Sequence, residues 1–469
     1  MRWAEFKDIV KRGVGRATCL HQLAFLLEFS LRRFIPSPER LAERLQLKEA
    51  AWEHFRMQRR KLLGICLGLA FCAQAILASA PEGPNWVGSW ATAEQVPEAG
   101  NALAPGDLRD ATLRQVVHLS LGGEALRVRI SNAFGTASLH FTSVHVARAT
   151  SAASSRIDAS TDHALSFSGR PDVIIPAGAE YVSDPLAFTV AAQSDLAITF
   201  HIDQPPAGET SHPGSRATSY LVHGDHVADA DLSAAMTFDH WFNIAGVDVS
   251  APPDAAAIVT LGDSITDGRG STTSGNDRWP DGLARRLRAA LPARHLGVLN
   301  AGIGGNRLLQ DGLGPNALAR FDRDVLAQPG VRYLIVLEGI NDIGVFGLLG
   351  STAQAAHDRL VTNIIGAYEQ VVLRAHPHGI RVLGGTITPF VGSSYCRPGL
   401  LSEADRMAVN QWIRAPGHFD AVIDFDKAIR DPQRPEALLP AYDSGDHLHP
   451  SPAGYRAMAD AVSLADFTP

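Results

Sequence analysis

The sequence predicts an α/β chain in which a β-sandwich, jelly-roll-like, precedes a doubly wound three-layer α/β/α domain. Three observations carry that expectation. From about residue 86 to 250, apolar and polar residues alternate with period two between turn residues, without intervening helical pattern. After Pro252-Pro253, five continuous apolar runs alternate with five helical ones, as parallel strands covered on both faces require. Hydrophobic residues at 45% against 19% charged permit a sizeable core and exclude a mainly disordered, collagen-like or coiled-coil chain.

The first 80 residues differ in composition from the rest. They hold 14 Lys/Arg and 7 Asp/Glu, whereas positions 81–469 hold 28 and 42. The formal net charge of −7 therefore averages a basic leader and a strongly acidic remainder whose only lysine is Lys427. Such a remainder has no basic face to neutralise phosphates, which excludes nucleic acid as a partner. Cys19, Cys66 and Cys72 also lie in the leader, leaving Cys396 alone. One thiol makes neither an internal disulfide nor a multi-cysteine zinc site.

Residues 57–80 read as a signal peptide. Arg59, Arg60 and Lys61 precede an apolar run over 62–78 broken only by Gln74, and Ala78-Ser79-Ala80 supplies small residues for cleavage. The alternative is a membrane anchor, but the run is at the short limit for ~30 Å of hydrocarbon. The signal reading predicts an exported protein, periplasmic or extracellular, with no stable membrane span after cleavage. The arginine pair is also compatible with twin-arginine export. Residues 1–56 are a leader of doubtful origin: either translation starts at Met57, or they form a small helical extension. The remaining boundaries are a β-sandwich accessory domain over 81–253 and a second domain over 254–469.

In the β-rich domain, runs 113–121 and 125–131 around Gly122-Gly123 predict a hairpin. Further strands are expected at 142–148, 172–176, 186–190 and 195–202. In the second domain the strands are 256–261, 295–300, 331–338, 380–387 and 420–425. Pro280 with Leu283, Leu287 and Leu291 marks the first helix, and Leu318, Phe321, Val325 and Leu326 the second. Residues 351–374 make the third, a capping box Ser402…Asp405 opens the fourth, and 452–464 is the last.

In such a sheet, ligands bind beyond the carboxyl ends of the strands. Four polar segments fall there: Gly262 to Gly268, Asn300 to Asn306, Glu338 to Asp342, and Asp443 to Pro450. They can carry nucleophilic acyl transfer. A serine hydroxyl needs a base, histidine suits neutral pH, and a carboxylate on the other ring nitrogen sets the tautomer. Asp446 and His449, three apart, can meet across one turn. Backbone N–H groups of Ser264 and Gly305 and the Asn341 amide are candidate donors to an oxyanion.

GDSIT at 262–266, NAGIGGN at 300–306, GIND at 339–342 and DHLHP at 446–450 resemble, in order, the four blocks of the SGNH (GDSL) hydrolase superfamily. The resemblance covers about 254–469. It implies a flavodoxin-like α/β/α fold and esterase activity with no metal or other cofactor. By position it implies Ser264 as nucleophile, His449 as base, Asp446 as its partner, and Ser264, Gly305 and Asn341 as oxyanion donors. Gly304 is the less favoured glycine, because Gly305 precedes Asn306. The strings GDSITDGRGS, NDRWPD, LEGINDIG and YDSGDHLHPS resemble the arylesterase/acylhydrolase branch associated with xylan degradation.

Other readings stand beside these. Arg278 and Trp279 could line the acyl or sugar pocket, and Trp279 could equally be core packing. His447 and His449 with Asp443 or Asp446 could bind a metal, but no further ligand run supports it. His376 and His378 fit a structural role at a helix end. The expected activity is hydrolysis of short acyl esters, acetyl above all, on polysaccharides or oligosaccharides. Alternatives are a lysophospholipase or general arylesterase, and a non-catalytic carbohydrate-binding protein.

Overall fold

Period-two alternation without helical spacing yields two antiparallel sheets in the computed structural model, which describes Met57 and residues 84–468 apart from 105 and 351. Their principal strands are β1 (Asn85–Ala91), β2 (Ala111–Leu119), β3 (Gly123–Ser131), β4 (Leu139–Arg148), β5 (Ser194–Ile202) and β8 (Ile244–Ala251), while β6 (Ser211–His212) and β7 (Trp241–Phe242) pair in a separate two-stranded ribbon. One sheet runs β1–β8–β3 and ends on Glu180–Val182, with Leu186–Val190 also on β3. The other places β2 between Ser219–His223 and β5, with β4 beyond. Together they are sandwich-like.

The hairpin expected around Gly122-Gly123 does not form. β2 bonds β5 from Ala111↔Ile202 to Leu119↔Ser194 on one edge and Ser219–His223 on the other. β3 bonds β8 in the opposite sheet. All but one residue of β2 is buried, so it is an interior strand whose two edges are both taken, and none remains for β3. The glycine pair is therefore a crossover between sheets.

The second half follows its alternation closely. β9 (Ala256–Gly262), β10 (Leu296–Gly302), β11 (Val331–Leu337), β12 (Arg381–Gly385) and β13 (Ala421–Ile423) form a parallel sheet in the order β10–β9–β11–β12–β13. Counted within the sheet this is 2-1-3-4-5, the flavodoxin-like order. Helices flank it: α1 (Ser264–Asp267), α2 (Trp279–Ala290), α3 (Ile340–Leu348), α4 (Gln354–Ala375), α5 (Leu400–Arg414), α6 (Phe425–Ile429) and α7 (Pro452–Ala461). Register matters for function. Gly262 lies opposite Gly302 on one side and Leu337 on the other, so three of the four polar segments leave the sheet at one level.

Three helix expectations change. The second helix contracts to one π-helical turn, Asp322–Leu326. A separate helix, α3, precedes α4 and carries Asn341 in its first turn. The capping box at Ser402 and Asp405 is absent: α5 starts at Leu400 after Gly399, and both residues lie inside it, buried. Asp405 instead bonds His357 Nδ1 at 2.5 Å across to α4, a tertiary partner that local spacing does not encode.

Gly83–Pro469 form one compact unit. A single hydrophobic cluster joins Trp90 and Val249 of the β-rich half to Ile258 and Leu299 of the parallel sheet. Gly88 N–H on β1 also donates to Pro329 O at 3.0 Å. The leader and signal peptide fall, save Met57, outside the described residues. Among the described residues no helix is long and apolar enough to cross a membrane.

Candidate active site

The site starts at the end of β9. Asp263 caps α1, its side chain accepting Ile265 N–H at 2.8 Å, and this turns Ser264 out at the rim of the sheet. Ser264 Oγ lies 2.8 Å from His449 Nε2. His449 Nδ1 lies 2.7 Å from Asp446 Oδ2, while Asp446 Oδ1 accepts the N–H groups of Leu448 (3.0 Å) and His449 (2.8 Å). Burial opposes ionisation of Asp446. The hydrogen bonds from the His449 ring and from the His449 and Leu448 backbone outweigh it and hold this carboxyl below the usual carboxylate range.

That arrangement selects one tautomer. Facing an ionised carboxylate, Nδ1 carries the ring proton, which leaves the Nε2 lone pair on the Ser264 hydroxyl. The serine can therefore lose its proton to the ring as it attacks.

The oxyanion candidates converge from three segments. Neither the Ser264 nor the Gly305 backbone N–H is taken by an acceptor among the described residues. Gly305 has φ +67°, a conformation open to glycine without strain. Asn341 Nδ2 donates to Asn306 O at 2.9 Å, which seats its amide beside the Gly304-Gly305 turn.

Beneath these groups lies a buried polar network that no motif announced. The Arg320 side chain has no solvent exposure and donates to Gly262 O (3.0 Å), Ala301 O (2.7 Å) and Asn306 Oδ1 (2.8 Å), so it ties the ends of β9 and β10 to the Gly304-Gly305 turn. Asp342 accepts Leu308 and Leu309 N–H at 2.9 and 3.0 Å. Burial pushes its carboxyl up to about 6, against those two bonds. Burial likewise raises Asp263 and Glu338, each helped by the other acids of the network and opposed by Arg320. Asp342 follows Asn341 directly, so its place in the block was a usable signal; Arg320 had none. Tyr395 was also missed. Its half-exposed ring meets the His449 ring edge-on at 5.7 Å, and its hydroxyl accepts from Arg269 at 3.3 Å.

The remaining expected residues are placed as follows. Trp279 is wholly buried and packs on Phe425 with ring centroids 5.3 Å apart, so of its two readings core packing is what the structure displays. Arg278 is buried too. Its guanidinium donates to Ser215 O, lies over the Trp241 ring and lines a cavity of about 30 Å³ between the two halves. His447 pairs with Asp443 at 2.6 Å and His449 with Asp446, two separate pairs rather than one ligand cluster. His376 at the end of α4 bonds Asp420 at 3.0 Å.

Residues 260–457 match the model of the GDSL-like lipase/acylhydrolase family. The chain carries a domain of this family. That domain is of the carboxylic ester hydrolase class. Similar solved structures include a catalytic mutant of an acetylxylan esterase from Geobacillus stearothermophilus (21% identity, 44% of this chain and 91% of that one, TM-score 0.34). Others are an α/β hydrolase from the metagenome of Lake Arreo, Spain (23%, 44% and 92%, TM-score 0.34), and a GDSL-like lipase from Bacteroides thetaiotaomicron (18%, 45% and 86%, TM-score 0.32). No curated protein matches the chain.

Proposed function

We propose that this protein is an exported serine esterase that removes short acyl groups, acetyl above all, from polysaccharides or oligosaccharides. The observation that carries the mechanism is the Ser264–His449–Asp446 chain of hydrogen bonds at 2.8 and 2.7 Å. Ser264 Oγ attacks the ester carbonyl and passes its proton to His449 Nε2. The Ser264 and Gly305 N–H groups and the Asn341 amide stabilise the oxyanion. The imidazolium returns the proton to the departing alcohol, leaving an acyl-serine. A water deprotonated by His449 then attacks the acyl carbon and frees the acid and Ser264. Asp446 keeps the ring oriented throughout.

The acetyl and polysaccharide preference is supported by GDSITDGRGS, NDRWPD, LEGINDIG and YDSGDHLHPS, and export by the pattern of residues 57–80. One observation favours a second reading, a lipase-like or arylesterase specificity. α3, which starts beside Asn341, ends on exposed Leu348 and Leu349 and packs on α5, whose first residue Leu400 is almost fully exposed. Such a rim suits a longer acyl chain.

Wild type and Ser264→Ala are to be compared on acetylated xylan, p-nitrophenyl esters of rising chain length, and lysophospholipid. Loss of all activity in Ser264→Ala with highest kcat/KM for acetyl substrates is expected. Equal activity of the two proteins overturns the nucleophile, and preference for long chains replaces the acetyl reading by the second one. Mass spectrometry of protein recovered outside the cytoplasm tests export: a mature N-terminus near residue 81 is expected, and retention of residues before Met57 overturns cleavage at this signal.

A further inference from the structure

We propose that His212, contributed by the β-rich half, is a positioning residue for the nucleophile: through a buried pair with Asp267 it holds the one-turn helix on which Ser264 stands. The proposal rests on the reading of Ser264 as nucleophile.

α1 is four residues long, with Ser264 first and Asp267 last. A single helical turn has almost no stability of its own, so its orientation is set by whatever grips its ends. Asp263 grips the first. At the other end, Asp267 Oδ1 lies 2.9 Å from His212 Nε2, and the two side chains are 3% and 5% exposed. The opposite ring nitrogen, Nδ1, lies 2.7 Å from Ala93 O. A carbonyl oxygen only accepts, and so does an ionised carboxylate. Both contacts are therefore satisfied only with a proton on each ring nitrogen, or with one held by Asp267 itself. Either state makes a bond that water does not reach to replace.

His212 is in turn fixed. It pairs with Trp241 across the β6–β7 ribbon, its ring stacks on Trp241 at 5.8 Å with 27° between planes, and Ser211 bridges to Gln95. The segment following it closes on α1 as well. A Cβ on Gly214 would stand 1.8 Å from Asp267 Oδ2, so only glycine admits the backbone there. Ser215 O receives the Arg278 guanidinium, and Arg216 O receives Ser274 N–H at 2.7 Å, so the same stretch also holds the loop that leaves α1.

The base is anchored elsewhere, on the loop before α7. The 2.8 Å contact between Ser264 Oγ and His449 Nε2 thus joins two separately mounted elements. A displacement of α1 alters it directly, and the Ser264 N–H with it, while leaving the Gly305 and Asn341 segments in place. Such a displacement lowers kcat rather than raising KM.

The test uses the full chain as wild type, His212→Gln, Asp267→Ala and Ser264→Ala, assayed on p-nitrophenyl acetate and by the rate at which a fluorophosphonate labels Ser264. A misplaced reacting group costs up to ~100-fold, so His212→Gln is expected to lose roughly 10–100-fold in kcat with KM within about twofold. Fluorophosphonate labelling slows in proportion. Asp267→Ala removes both carboxylate oxygens, cuts the same link by a second route and keeps the question answerable if His212→Gln fails to fold. Its kcat is expected to fall at least about threefold at constant KM. Wild-type kcat and labelling rate in a folded His212→Gln or Asp267→Ala protein, with Ser264→Ala inactive, overturn the positioning role alone. Activity retained in Ser264→Ala overturns the nucleophile reading on which it rests.

Discussion

Replacing Asp446 by asparagine preserves shape and exchanges one acceptor oxygen for an N–H donor. Oδ1 of Asp446 receives two backbone N–H groups, from Leu448 and His449, whereas Oδ2 receives only His449 Nδ1. The asparagine carbonyl therefore stays with the two backbone donors, and its NH₂ turns to Nδ1. The ring answers by presenting a lone pair at Nδ1 and its proton at Nε2, against Ser264 Oγ. In that tautomer it cannot take the serine proton. Reversal of the tautomer in a triad of this kind costs ~10⁴ in kcat, or about 5.5 kcal/mol of barrier. Because both backbone bonds survive, the melting temperature should stay close to wild type. The assay is kcat for p-nitrophenyl acetate on Asp446→Asn, with Asp446→Ala beside it. An Asp446→Asn enzyme within tenfold of wild type would refute the claim that this carboxylate sets the His449 tautomer.

Burial pushes the Glu94 carboxyl from its ordinary value of 4.5 up to about 8. Its contribution to stability is complete below 4.5 and is lost as pH rises through 8. Glu94→Gln should flatten the fall of melting temperature across that window and be the more stable protein above it, by on the order of 5 kcal/mol; an unchanged slope contradicts the buried neutral acid. Trp279→Ala should cost roughly 3–5 kcal/mol by urea unfolding and leave KM unchanged, since the ring fills core rather than pocket. A raised KM without loss of stability would return Trp279 to the pocket. Arg320→Met strips the tie between β9, β10 and the Gly304-Gly305 turn and leaves Asp324 and Glu338 with less counter-charge, an expected loss of roughly 3–5 kcal/mol together with lowered kcat. Unfolding curves identical to wild type would show the network to be dispensable.

The α/β half was legible because its signals are local. A strand covered on both faces must be apolar along its length, as β9 is, and Pro280 marks a helix start within a few residues. The four polar segments were legible together because a parallel sheet delivers successive loops to one rim, whatever their separation in sequence. The crossover at Gly122-Gly123 was not, since period two looks the same whether consecutive strands pair with each other or with strands 75 to 123 positions away. Ser402 and Asp405 had the spacing of a cap, but His357 on another helix claims Asp405, and no local rule sees a partner 48 positions distant.

By itself, then, the sequence determined the order of elements, the parallel sheet and the residue types at its rim, because propensity, burial period and turn chemistry act over a few neighbours. Only the tertiary structure decided how those residues are held. Arg320 beneath the Gly304-Gly305 turn, Tyr395 against His449, and His212 against Asp267 lie outside the motifs and belong to no pattern of their own. Hydrogen bonds between buried polar groups depend on which surfaces folding brings face to face. Spacing along the chain leaves that open, and the packing of the two halves of this chain settles it.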